Sequence, residues 1–312
     1  MTTDRSASRA AVGALDIGGT KIIAALVDPS DRSLIHRRRF AMPGPSGAAD
    51  PGLRTTLAAA EDLVRAAERL QVRIAAVGAG FPEYVRDGRV TSDEVLGAGV
   101  APDHVLEAAL GPGIPLLIDA DVRLGAIAEA GLGAGRGVDS FVYVSWGTGL
   151  SATLVIDGAC WPGAHGEAIA LGEFPLPAGI GDPESSTLEG FASGTGIARR
   201  YAAASGVAEP DGARAVLARR SAGDAVAAGV IDGAATALGL SLAAVVRLLD
   251  PVAVIMGGGL GSAGESLLGQ VVTAARPGLA DGSRCRWLRA GLGPDSVLIG
   301  AALLAERAAT EI

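Results

Sequence analysis

Two stretches of this chain follow one pattern, and that repetition limits the possible folds more than any other feature. Val12 to Asp16 reads as a buried strand, Gly18-Gly19-Thr20 as a turn, and Lys21 to Asp28 as a second strand. From Ser140 the order returns: Ser140 to Trp146, then Gly147-Thr148-Gly149, then Leu150 to Gly158. Each is a hairpin with glycine at its bend, not a strand feeding a helix, and each has a threonine inside the turn. The echo implies two similar domains facing each other across a cleft. With 312 residues, 49% of them hydrophobic, the chain can supply a core for each. Aromatic residues make up only 4% and glycines number 46, so those cores must be built from Leu, Val, Ile and Ala. Glycine then serves turns and close backbone approaches.

The remaining segments alternate helix and strand. Leu53, Leu57, Ala60, Val64 and Ala67 recur at helical steps and predict an amphipathic helix between Leu53 and Leu70. Arg73 to Pro82 and Ile114 to Asp121 read as strands, and Val122 onward as a helix stopped by Gly131. Leu238, Leu242, Val245 and Leu249 mark another helix, and Pro251 to Gly261 a strand entering a glycine cluster. Val297 to Ala309 predicts a last helix that returns to the first domain. The expected domains are therefore residues 1–120 with 293–312, and residues 121–292. Pro175 to Ser186, rich in Pro and Gly, is expected to be a mobile lid or insertion.

Several classes of function are disfavoured. The formal net charge is -8, and Arg37-Arg38-Arg39 and Arg199-Arg200 read as solvated faces, so no nucleic-acid partner is expected. Cys160 and Cys285 are the only cysteines, and His36, His104 and His165 show no metal-ligand spacing, which suits a reducing cytoplasm. The residues ahead of Val12 lack an apolar signal segment, and no apolar run reads as a membrane span. A cytoplasmic protein with a small-molecule substrate is the expectation.

Three glycine turns end hydrophobic strands: Asp16-Ile17-Gly18-Gly19-Thr20-Lys21, Gly147-Thr148-Gly149 and Gly257-Gly258-Gly259. Backbone N–H groups in such turns reach phosphate oxygens, and a missing Cβ lets those oxygens approach. Thr20 and Thr148 add hydroxyls, and Lys21 a positive charge. No GxxxxGK[ST] sequence occurs, which removes a P-loop nucleotidase. Gly259 to Gly264 does match GxGxxG, with Asp281 about twenty residues on, the pattern of a dinucleotide-binding dehydrogenase. Too little chain follows it for the rest of such a fold.

Taken together, ALDIGGTKIIAALVD resembles the first phosphate motif of the ROK family within the hexokinase/actin superfamily. GAGRGVDSFVYVSWGTGLSATLVIDG resembles its second phosphate segment, and LEGFASGTGI, PVAVIMGGGLG and VLIGAALLA resemble three further segments in order. The resemblance implies a two-domain α/β fold of the ribonuclease-H-like, actin/hexokinase type, a sugar kinase using ATP and Mg²⁺, and a homodimer. Only about a dozen residues precede the first motif, so the family's repressor branch is not expected. The resemblance puts Asp16, Gly18, Gly19, Thr20, Lys21, Thr148, Gly149, Gly257, Gly258 and Gly259 at the nucleotide, with Asp16 toward Mg²⁺. It also makes Asp121 the catalytic base, with Asp119 the fallback and Ala120 where the family has Asn. A helix N-cap is the plainer role for Asp121.

The acceptor half departs from the family. The sugar and zinc segment, normally Gly-Glu-Ile-Gly-His, becomes Ile169-Ala170-Leu171-Gly172-Glu173 in an ungapped register; a three-residue deletion would instead retain Glu167 as the sugar-binding acid. Thr187 stands where the last zinc cysteine would be, so no structural zinc is expected. Glu189 matches a sugar-contacting Glu of the family, and Glu83 replaces the last Gly of Gly-x-Pro-Gly. Glu83, Glu167, Glu173 and Glu189 would make an acid-rich pocket for an unusual acceptor, such as an aminosugar or a cyclitol. A non-catalytic binding protein, a pseudokinase, is the second reading.

Overall fold

The computed structural model describes residues 9–42 and 50–310. The first eight residues of the expected lead-in lie outside them; the strand begins at Ala10, two residues earlier than the hydrophobic run suggests. The chain divides into two compact units. Unit 1 comprises Met1–Ala128, Gly163–Glu167 and Asp295–Ile312, and unit 2 comprises Glu129–Pro162 and Ala168–Pro294.

Unit 1 is built on β1 (Ala10–Ile17), β2 (Lys21–Val27), β3 (Leu34–Ala41), β4 (Arg73–Phe81) and, after the short β5 (Val85–Arg86) and β6 (Arg89–Val90), β7 (Leu116–Ala120). The sheet order is β3-β2-β1-β4-β7; the first three strands are antiparallel and β1, β4 and β7 run parallel. Helix α1 (Arg54–Leu70) lies on one face, beside α2 (Pro102–Leu110), and α3 (Asp121–Leu132) follows β7 directly.

Unit 2 repeats this plan with β8 (Ser140–Trp146), β9 (Leu150–Ile156), β10 (Ala159–Trp161), β11 (Ala253–Gly257) and β12 (Arg286–Arg289) in the order β10-β9-β8-β11-β12. Again the hairpin strands are antiparallel and the later two add in parallel. Its helices are α4 (Leu188–Ala192), α5 (Gly194–Ser205), α6 (Gly212–Ser221), α7 (Ala225–Leu249), α8 (Gly258–Gly261) and α9 (Glu265–Ala275). The last helix, α10 (Ser296–Thr310), belongs to unit 1 and packs on β1 and β4 opposite α1. Glycine is required on that face: a Cβ on Gly78 would lie 2.0 Å from the Ala301 carbonyl oxygen.

Three local expectations need correction. The buried stripe of α1 runs through Thr56, Ala59, Ala60, Leu63, Ala66 and Ala67, with Leu57 and Val64 only half-buried. Polar Thr56 and Asp62 turn inward because each finds a partner: Thr56 Oγ1 donates to Asp50 at 2.7 Å, and Asp62 meets His36 and Arg38, both at 2.7 Å. Helix α3 passes Gly131 and ends before Gly133, where a Cβ would strike the Glu129 carboxylate. Finally, α7 is long and apolar enough to cross a membrane by composition, which the sequence reading did not anticipate. Its Val230, Ile231, Leu238, Leu242 and Val246 lie in the core of unit 2. Asp224 caps its start, accepting from Val226 and Ala227 N–H at 2.9 and 3.0 Å.

Arg37, Arg38 and Arg39 are exposed, as expected, but two of them also hold partners, and Arg199 and Arg200 are half-buried. Strand alternation on β3 sends Arg38 toward α1 and Asp62, and Arg37 to the other face, where it grips Asp295 bidentately at 2.8 and 2.6 Å. Arg199 pairs with Asp182 and with Glu184 (2.5 Å) and donates to the Gly190 carbonyl at 3.0 Å. Arg200 stacks on Phe191, 3.5 Å from its centroid, and donates to the Phe191 carbonyl.

Candidate active site

Unit 1 presents the first glycine turn. Gly18 N–H donates to the Lys21 carbonyl at 3.0 Å, closing the bend between β1 and β2. Neither Gly18 nor Gly19 has a positive φ, so the backbone does not demand glycine there. A Cβ on Gly18 would meet only the Lys21 carbonyl, at 3.3 Å, and one on Gly19 only Val95, at 3.2 Å. Both contacts are tight, so a side chain at either position would press on its neighbour. Thr20 is exposed and Lys21 half-buried.

Asp16 lies next to this turn, paired across the sheet with Ile23 and Gly80. Burial pushes its carboxyl up to about 6, against the lowering effect of Lys21; Asp295 adds to the rise and Arg37 opposes it. The folded value stands above the ordinary 3.8, so the native state holds this proton more tightly and stability falls as pH rises from 3.8 to about 6. At neutral pH the ionised group costs about 1–2 kcal/mol, allowing for partial exposure. Asp16→Asn should therefore raise the urea midpoint at pH 7 and leave it unchanged at pH 3.5; equal midpoints at both pH values would show that the carboxylate carries no such penalty.

Asp121 is the first residue of α3, at the end of β7, and its Oδ1 accepts the Val122 N–H at 2.6 Å. Asp119, two residues earlier, binds Arg123 Nε at 2.5 Å. Glu83 is buried, and its carboxylate gathers the loop 92–96: Oε2 accepts from Ser92 Oγ (2.5 Å) and Glu94 N–H (3.0 Å), and Oε1 from Val95 and Leu96 N–H (2.8 and 2.9 Å). That loop places Val95 against Gly19. Glu167 is exposed in the same unit.

Unit 2 assembles the second set. The Gly147 carbonyl accepts Gly194 N–H at 2.7 Å, and the Thr148 carbonyl accepts Thr195 N–H at 3.2 Å, so the β8–β9 turn sits on the start of α5. Gly257 and Gly258 are required by packing: a Cβ on the first would lie 2.2 Å from the Tyr143 hydroxyl and on the second 2.4 Å from the Trp146 carbonyl. Gly259 differs. A Cβ there meets nothing within 4 Å, and one on Gly147 would be 3.6 Å from Gly259 N, so these two turns border one open space. Glu189 Oε2 accepts Leu150 N–H at 2.7 Å and lies 2.9 Å from where a Gly149 Cβ would be. Thr148, Gly149, Glu173 and Glu189 are exposed.

The segment expected to be a lid is tied at both ends. Pro175 bridges Thr187, Leu176 N–H donates to the Ser186 carbonyl at 3.1 Å, and Arg199 holds Asp182 and Glu184 between them. Thr187 Oγ1 accepts Gly190 N–H at 3.2 Å and caps α4. Among the described residues, no group of three or more His, Cys, Asp or Glu could hold a metal ion.

Sequence reasoning missed Arg123, Glu83's engagement with its loop and the Arg37–Asp295 pair. An arginine two residues after a candidate base was the only signal for the first; the others depend on partners far along the chain.

Two matching five-stranded units, each with a glycine hairpin between its first two strands, define the α/β architecture of the actin/hexokinase type. A solved structure of this type, a ROK family glucokinase from Streptomyces griseus in complex with glucose and AMPPNP, matches with a TM-score of 0.74 and 27% identity, over 95% of this chain and 99% of that one. Residues 12–308 match the ROK family, and the chain belongs to it. Among relatives, a glucokinase of Halalkalibacterium halodurans is 31% identical over 62% of this chain and 64% of its own length. The chain thus spans less than two thirds of that relative. The N-acetylgalactosamine kinase AgaK of a Shewanella species is 31% identical over 93% of this chain and 95% of its own.

Proposed function

We propose that this protein is an ATP-dependent kinase that moves the γ-phosphoryl group to a hydroxyl, most simply a primary one, of a sugar, aminosugar or cyclitol. The observation that carries this reading is the open space at Gly147 and Gly259: both take ordinary backbone angles, and a Cβ on either would meet nothing closer than 3.6 Å. The relatives' names, glucokinase and N-acetylgalactosamine kinase, and the AMPPNP bound to the S. griseus structure support sugar as acceptor and ATP as donor.

Asp121 is the proposed base. Its place as the first residue of α3, directly at the end of β7, supports this choice. Asp121 would take the proton of the acceptor hydroxyl as that oxygen forms its bond to the γ-phosphorus and the bond to the leaving ADP breaks. Lys21, Thr20 and Thr148 would donate to phosphate oxygens, and the turn N–H groups would add fixed dipoles. Asp16, half-buried beside the first turn, suits a Mg²⁺ ion bound with the nucleotide, which supplies neutralisation of phosphate charge. The N–H groups held by Glu83 keep the 92–96 loop over Gly19, so Glu83 would act on the site through that loop.

The acceptor class is read from the acids that each unit exposes. In unit 1, Ala120 offers no polar group beside Asp121 and Glu167 is an exposed acid; in unit 2, Glu173 and Glu189 are exposed. Carboxylates complement a cationic acceptor, which supports an aminosugar, or an amino-bearing cyclitol, over a neutral hexose. The test is ATP-dependent product formation, read by mass spectrometry, across hexoses, aminosugars and C7 cyclitols. A phosphoester from one class identifies the acceptor; ATP binding with no product from any class would turn the reading to a pseudokinase.

A further inference from the structure

The guanidinium of Arg123 joins separated segments at the strand end that carries Asp121. Its Nε donates to Asp119 Oδ1 at 2.5 Å, Nη2 to the Val85 carbonyl at 2.6 Å and Nη1 to the Gly166 carbonyl at 3.2 Å. These acceptors come from the end of β7, from β5 and from the short stretch Gly163–Glu167, all within unit 1. The residue is 3% exposed. Burying an arginine is costly unless its donors are met, and a cation in the first turn of a helix opposes the helix dipole. A residue selected only to start α3 would be neutral or acidic. What arginine alone offers is a rigid planar fork that serves acceptors lying in separate directions.

The stretch it holds is closely fitted. Gly166 has φ +80°, and a Cβ on it would lie 2.5 Å from the Val85 carbonyl oxygen, so the turn is pressed on the backbone of β5. On either side of Gly166, His165 and Glu167 are exposed and make no hydrogen bond or ion pair among the described residues. Asp119 cancels the charge of Arg123 locally, which leaves geometry as its contribution.

We propose that Arg123 is a positioning residue for the phosphoryl acceptor. It fixes the Gly163–Glu167 segment to the strand end that carries Asp121, so that His165 and Glu167 are presented to the acceptor's polar groups. The inference rests on the kinase reading above, but its physical core, the anchoring of the segment, can be measured without turnover.

The experiment compares the full chain with Arg123→Gln and Arg123→Lys, using hydrogen exchange and steady-state kinetics with glucose and glucosamine as probe acceptors. Faster exchange over residues 163–168 is expected in Arg123→Gln, with exchange over residues 16–21 unchanged. The acceptor KM should rise about tenfold or more, with the KM for MgATP within about twofold of wild type. Arg123→Lys keeps the pair with Asp119 but cannot reach every acceptor, so it should fall between the two. Unchanged exchange at 163–168 would overturn the proposal, as would equal rises in both KM values, the sign of a merely structural residue. Should Arg123→Gln fail to fold, Arg123→Lys decides by the same two measurements. Where the wild type turns over neither sugar, it is the kinase reading with these acceptors that fails, and the exchange result alone decides the anchoring.

Discussion

Asp121→Asn should bind the nucleotide as the wild type does and transfer phosphate about 10²–10⁴ times more slowly. The amide keeps the shape of the carboxylate, and its oxygen can still accept the Val122 N–H, so the start of α3 should be undisturbed. What the amide cannot do is take a proton from the attacking hydroxyl. The loss should therefore appear in kcat, with the KM for MgATP and the urea midpoint near wild-type values. Asp119→Asn is the informative comparison. Its oxygen can still accept from Arg123, so a smaller loss is expected there. Near-normal turnover in Asp121→Asn, with a collapse in Asp119→Asn, would transfer the role of base to Asp119.

Glu129→Ala should destabilise unit 2 by about 3–5 kcal/mol. This glutamate is 0% exposed, and among the described residues its carboxylate accepts from three backbone donors: Ala134 N–H at 2.7 Å, Gly291 N–H at 2.9 Å and Leu292 N–H at 2.9 Å. Removing the side chain leaves the half-buried Ala134 and Leu292 N–H groups without their acceptor, frees the N–H of exposed Gly291 to water, and opens a cavity. Glu129→Gln preserves the volume but turns one acceptor into a donor facing other donors, so it should cost less than alanine and still clearly more than a surface change. Urea denaturation followed by intrinsic fluorescence reads both, because Trp146, Trp161 and Trp287 all lie in unit 2. A midpoint for Glu129→Ala within experimental error of wild type would show that water replaces the carboxylate.

The parts of the fold legible in the sequence were those written in local pattern. The two glycine hairpins, the strand before Asp121 and the helix after it all depend on residues a few positions apart. The glycine turns of the candidate site were legible for the same reason. What escaped was set by partners distant in sequence. Arg37 reads as one of three like charges until α10 brings Asp295 to it, 258 residues away. The face of α1 shifted because Thr56 and Asp62, which an apolar stripe leaves out, are satisfied inside by Asp50, His36 and Arg38. Glu83 reads as a pocket acid by position, yet its four hydrogen bonds go to a loop that begins nine residues later. Hydrophobic periodicity has no means of expressing such long-range pairing of polar groups.

The return of α10 to β1 and β4 also sets an order of events on the ribosome. The sheet of unit 1 is complete once β7 has emerged, but one of its faces waits for the final helix, and every strand of unit 2 is made in between. Close backbone seats such as Gly78 against Ala301 join residues more than two hundred positions apart, contacts that are slow to form because the intervening chain must first be closed into a loop. The half of the molecule synthesised first is thus the half that finishes last, and its nascent form displays an uncovered apolar sheet face for most of translation. A chaperone that binds extended apolar strands would meet it there.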